Sequence, residues 1–123
     1  MIARLWRGWA RGDAARSYSE LLRKHVLPEF KRIKGFLGAY VFRQAAPGSE
    51  TEFTVLTLFS DIDAVSAMTG EECEPVFVPP EAQNLLSHYE PCASHYEIVT
   101  TPAQLQRDAW LQRMPHHRIE WHW

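Results

Sequence analysis

The chain lacks most of the features that announce a biochemical class. Cysteine occurs only twice, at Cys73 and Cys92, in no C-x-x-C or other metal spacing and without a secretory context, so both read as free thiols. There is no G-x-G-x-x-G or P-loop segment, which leaves nucleotide cofactors without support. Arginines interrupt Met1-Ile2-Ala3-Arg4-Leu5-Trp6-Arg7 before it reaches the length of a signal-peptide core, and no run approaches the ~20 apolar residues of a membrane span. A cytoplasmic protein without membrane contact is expected. The formal net charge is −2 and Lys and Arg are scattered, so no basic face is available for a phosphate backbone and nucleic acid is not an expected partner. His88 and His95 are not at the i, i+4 spacing of a helical two-His metal site, and no metal is expected there. His116, His117, Glu120 and His122 can in principle catch a transition metal, but so short a terminal cluster is more often incidental.

What is present is ordinary globular composition, 46% hydrophobic and 23% charged, over 123 residues, enough for one domain with its own core. Residues 2–9 alternate as a strand, with Ile2, Arg4, Trp6 and Gly8 on one face and Ala3, Leu5, Arg7 and Trp9 on the other. Gly12-Asp13 then breaks the strand, and Asp13 is placed to cap a helix whose apolar stripe is Tyr18, Leu21, Leu22, Val26, Phe30 and Ile33. Pro28 predicts a kink or break, and Gly35 a terminating cap. Phe36 to Gln44 reads as a second strand, with Leu37, Ala39 and Val41 opposed to Gly38, Tyr40 and Phe42. The short loop at residues 45–50 returns the chain as an antiparallel third strand from Thr51 to Ser60. Ser60-Asp61-Ile62-Asp63 resembles a capping box for a second helix carrying Ile62, Val65 and Met68. Glu71 to Tyr89 has room for two short helices, the second with Leu85, Leu86 and Tyr89, and Ala93 to Val99 alternates as a fourth strand. Thr101-Pro102 opens a C-terminal helix through Met114, so residues 1–100 are expected to form the domain and 101–123 a helical extension or tail.

The order β-α-β-β-α-β is the ferredoxin-like arrangement, an α+β fold with helices on one face of a four-stranded antiparallel sheet. Such a sheet needs one polar face. Here the third strand has Phe53, Val55 and Phe59 on one side and Leu56 and Leu58 on the other. The uncovered face of four six-residue strands measures roughly 400 Å², about the largest apolar patch a monomer normally exposes. A second copy packed sheet against sheet is the expected cover.

Over residues 1–100 the pattern resembles the antibiotic biosynthesis monooxygenase family, the dimeric α+β barrels. The resemblance rests on Ile2-Ala3-Arg4-Leu5-Trp6-Arg7-Gly8, on Pro28-Glu29-Phe30 leading to Gly35-Phe36-Leu37-Gly38-Ala39-Tyr40-Val41, on Leu58-Phe59-Ser60, and on His95-Tyr96-Glu97-Ile98-Val99. It implies a homodimer with a pocket between each protomer's sheet and helices. It also implies oxidation of a hydrophobic or aromatic small molecule by dioxygen without a bound cofactor; the absence of any nucleophile, metal or phosphate motif leaves a non-catalytic dimeric binding or accessory role as the alternative. Heme-degrading relatives use an Asn on the first strand, a Trp ending the third and a His on the second helix. This chain has no Asn on its first strand, Phe59 at the Trp position and no His between Asp61 and Val78.

A cofactor-free oxygenase must deprotonate its substrate inside an apolar cavity that holds one or two polar donors. His25 beside the helical stripe, Trp6 and Tyr40 are the candidate catalytic residues, and Arg4, Phe42, Phe59, His88 and His95 the candidate substrate contacts. For the aromatics, ordinary core packing is the competing reading, and for the histidines a place at the surface.

Overall fold

A computed structural model describes residues 1–69 and 79–112. Strand β1 (Ile2–Arg11) leads into helix α1 (Ala14–Leu21), a π-helical turn (Leu22–Val26) and the short helix α2 (Leu27–Phe30). Strands β2 (Phe36–Ala46) and β3 (Glu50–Phe59) form a hairpin, followed by α3 (Ile62–Thr69). After residue 78 come α4 (Pro80–Leu85), strands β4 (Leu86–Tyr89) and β5 (Ser94–Glu97), and helix α5 (Pro102–Gln112). All pairings are antiparallel, in the order β2-β3-β1-β4, with β5 also beside β1. This is the ferredoxin-like α+β arrangement, with its outer strand in two pieces. Residues that read as the end of a helix, Leu86 and Tyr89, instead belong to β4.

Alternation along β1 and β3 builds the core. Trp6, Ala10, Phe53 and Val55 point to the helices and pack with Tyr18, Leu22, Ala82 and Leu86. Tyr18 meets Phe53 edge to face at 5.0 Å between ring centroids. A second cluster at the other end joins Phe59 to Ala64 and Val65 of α3, with Ile2, Ile33 and Phe36 packed around it. Every second residue of β3 is therefore buried, which fixes its register.

Local signals were met in altered form. Asp13 occupies the N-cap position of α1 but makes no side-chain capping bond. At the next helix the cap moves from Ser60 to Asp61, whose Oδ1 accepts from the Ala64 N–H at 2.9 Å. Pro28 does not break the helix. The Leu27 N–H donates to the Leu22 carbonyl five residues back, so the chain widens by one residue just before the proline and continues. A bulge between Phe36 and Gly38 sets Leu37 apart from Ala39, and Leu37 is exposed. Ile62, expected in the apolar stripe of α3, is also exposed, whereas Ala64 and Val65 are buried. Thr101 and Gln104 cap α5 reciprocally, each side-chain oxygen accepting from the other's backbone N–H. Cys92 corrects the free-thiol reading, because it is disulfide-bonded. Two cysteines without a recognisable spacing left no signal of that bond in the sequence. Cys73 and the cluster His116, His117, Glu120, Trp121, His122 and Trp123 lie outside the described residues, as does the side chain of Met68. No described helix is long and apolar enough to cross a membrane.

Gly35 joins the end of the first helical segment to the start of α3. Its φ is +92°, its carbonyl accepts from the Ser60 N–H at 2.8 Å, and an added Cβ would lie 2.7 Å from the Ala64 Cβ. Gly35→Ala is expected to lower unfolding stability by about 2 kcal/mol or more, from left-handed strain plus the clash. Gly12→Ala, at φ +50° in open space, is the control that carries the backbone part alone. Urea denaturation of both variants measures the difference, and equal losses would remove the contact with Ala64 from the account.

Candidate functional site

Cross-strand partners share a face, so the register sorts every candidate residue. On the helix-facing side the middle row runs Ala39–Thr57–Arg4–His95 across β2, β3, β1 and β5. None of these four belongs to either core cluster. Trp6 and Val55 begin the first cluster on one side of the row, and Ile2 and Phe59 belong to the second on the other. The inner face is thus apolar at both ends and polar across its middle.

Arg4 is only 5% exposed. Its Nε is buried without a hydrogen-bond partner, and among the described residues no carboxylate pairs with its guanidinium. Loss of solvation lowers its pKa to about 10, so the group stays charged at neutral pH. Thr57 is fully buried, and its hydroxyl donates to the Arg4 carbonyl at 3.3 Å. His95 lies exposed at the β5 edge of the same row. Burial and then the charge of Arg4 depress its pKa, which favours the neutral imidazole.

Trp6 shares this side, one row along. It is buried, its Nε1–H donates to the Glu90 carbonyl at 2.8 Å, and its ring lies 6.0 Å from that of Tyr89. Phe59 is fully buried and packs edge to face on Phe36, so its surroundings are those of core. His25 is exposed on the π turn. It lines a separate cleft of ≈ 530 Å³ with Leu21, Val26, Glu29, Phe30, Pro79 and Glu81.

The remaining candidates face the other way. Tyr40 and Phe42 are 58% and 51% exposed on the outer face, their rings stacked at 6.1 Å. Leu5, Leu56 and Leu58 share that face, as does Tyr96. At its far end His88 stacks on Trp9 at 4.3 Å and approaches Glu50 at 3.2 Å. Arg7 grips Glu90 through two bonds of 3.1 and 3.2 Å. Within one protomer the sheet therefore separates Trp6 from Tyr40, while it brings Arg4 and His95 together. Thr57 escaped the sequence reading. Its signal was a lone polar residue in the inner run Phe53, Val55, Thr57, Phe59. Among the described residues no three His, Cys, Asp or Glu side chains converge as metal ligands.

No family model matches the chain, and a search of curated proteins found no match. Solved structures do match. SnoaB, a cofactor-independent oxygenase from Streptomyces nogalater, superposes with a TM-score of 0.55 at 18% identity, over 82% of this chain and 95% of that one. The monooxygenase ActVA-Orf6 of Streptomyces coelicolor, in complex with nanaomycin D, gives 0.53 at 14% identity over 81% and 88%. The chain has the fold of the antibiotic biosynthesis monooxygenases. Rv0793 from Mycobacterium tuberculosis is similar too, at 0.55 and 15% identity over 82% and 97%. At these identities the likeness is one of fold, and function must be argued from the site.

A buried cation without a counter-ion is destabilising, since the desolvation cost in a protein is several kcal/mol per ion. Arg4→Met keeps an unbranched apolar stem and removes the charged guanidinium. It is expected to stabilise the fold by about 1–3 kcal/mol, a rise of several degrees in Tm by calorimetry. A fall in Tm would mean that the guanidinium is satisfied in solution.

Proposed function

We propose that the protein is a monooxygenase of the antibiotic biosynthesis type, a homodimer that oxidises a hydrophobic or aromatic small molecule with dioxygen and no bound cofactor. The observation that carries this reading is the neutral-leaning His95 on the polar row of an otherwise apolar inner face. Such a substrate is a phenol with an activated CH₂ group. His95 takes the proton, the resulting carbanion or enolate carbon adds dioxygen, and the hydroperoxide loses water to leave a carbonyl. The CH₂ carbon is oxidised to C=O, one oxygen atom enters the product and the other leaves as water. The two flanking clusters give the row apolar walls, and the fold shared with SnoaB and ActVA-Orf6 supports the same class of reaction.

Dioxygen uptake with anthrone-like phenolic polycycles tests this. Uptake by the wild type and a loss of about 10²-fold or more in His95→Gln are expected, the usual size of a general-base effect. The acid limb of kcat/KM should fall below about 6.5, because a depressed pKa keeps the imidazole neutral to lower pH than an ordinary histidine. Ligand binding without uptake would instead favour the accessory role.

The dimer is proposed from the outer face, where Leu5, Leu56, Leu58, Tyr40, Phe42 and Tyr96 form an apolar surface that one protomer leaves open. Leu56→Arg is expected to convert a dimer into a monomer by sedimentation velocity. A wild-type monomer would remove the sheet-to-sheet contact.

A further inference from the structure

Two of the three arginines on β1 receive opposite treatment. Arg7 faces outward, exposed to water that would solvate it at little cost, yet it holds Glu90 by two bonds and reaches Glu52 at 3.7 Å. Arg4, three residues earlier, faces the interior, where an unpaired charge is most costly, and has no carboxylate among the described residues. Its one polar neighbour across β3, Thr57, has already given its hydroxyl proton to the Arg4 carbonyl, and its neighbour across β5 is a histidine. The described residues supply a planar set of N–H donors and no side-chain acceptor to receive them.

The place is also a gap between the two core clusters of described residues. Both core clusters stop at the row that contains Arg4. The row runs from fully buried Thr57 through Arg4 to His95, whose end of the row meets solvent at the β5 edge. A flat apolar molecule lying along it would touch Trp6 and Val55 on one side and Ile2 and Phe59 on the other.

We infer that Arg4 is an anion-binding subsite, and that the ligand is an aromatic molecule carrying an ionised oxygen, a phenolate or enolate or else a carboxylate, which the buried guanidinium holds. This deepens the oxygenase reading and rests on it for the location of the ligand. It also adds a specificity-determining residue, since a neutral analogue of the same shape would leave the guanidinium unpaired. A proton taken by His95 would leave the substrate's negative charge one strand away from Arg4.

The experiment is equilibrium binding, independent of oxygen uptake. Two pairs of probes are titrated against the full chain by isothermal calorimetry: 1-naphthoate with methyl 1-naphthoate, and 4-nitro-1-naphthol, as its anion, with its methyl ether. The wild type is expected to favour at least one anion over its neutral partner by about tenfold or more, the scale of a charge-assisted hydrogen bond. That preference should vanish in Arg4→Met and survive in reduced form in Arg4→Lys. Should Arg4→Met not fold, Arg4→Gln, with a neutral polar end, supplies the same comparison. Which pair shows the preference tells phenolate from carboxylate. Equal affinity within both pairs, or a preference that persists without the arginine, overturns the proposal. Anion binding without any oxygen uptake leaves the subsite standing and removes the oxygenase reading; uptake without anion preference does the reverse.

Discussion

Strand β1 is hydrogen-bonded along both of its edges, to β3 on one side and to β4 and β5 on the other. A strand held this way cannot slip by one residue, because every side chain would change face and Trp6 and Ala10 would leave the core. The whole separation of an inner face from an outer one follows from this constraint. It gives Arg4 and Arg7 their opposite surroundings and sets Trp6 and Tyr40 on different sides of one sheet.

Much of the fold was legible because strand alternation and helical spacing are strong local signals. The two faces of β1 and β3 were read correctly from period-two alternation alone, and the α1 stripe of Tyr18 and Leu22 from its four-residue spacing. Other features depend on distant partners. The outer strand is split because residues 90–93 leave the ladder, where the Glu90 carbonyl accepts from Trp6 while the Glu90 N–H donates to the Arg7 carbonyl. Pro91, with no N–H to give to a ladder, is the local signal of that break, but the partners of Glu90 lie more than eighty residues away in sequence. Helix propensity at Leu85 and Leu86 was likewise overridden by the free edge of β1, which offered a ladder to join.

The candidate site was legible residue by residue and not as an arrangement. Arg4, Trp6, His25, Tyr40 and His95 were all named for their chemistry, but only the register says that Arg4 meets His95 and that Tyr40 cannot meet Trp6. Burial then changes what the residues mean. A strand arginine suggests a solvated surface; an arginine buried between two apolar clusters, with an orphaned Nε, is a strain that packing alone would not retain.

The π turn at Leu22–Val26 has a geometric effect beyond accommodating Pro28. Tyr18, Leu22, Val26 and Phe30 repeat every four residues, and in an uninterrupted α-helix such a repeat winds around the cylinder by about 40° per step. The wider turn takes up part of that winding and keeps the four side chains closer to one line. Tyr18 and Leu22 sit in one cluster, Val26 packs against it, and Phe30 reaches Phe36 beside the other. A single helical segment thereby contributes side chains to both ends of the inner face, so that one extra residue of helical turn ties together two cores that the sheet itself keeps apart.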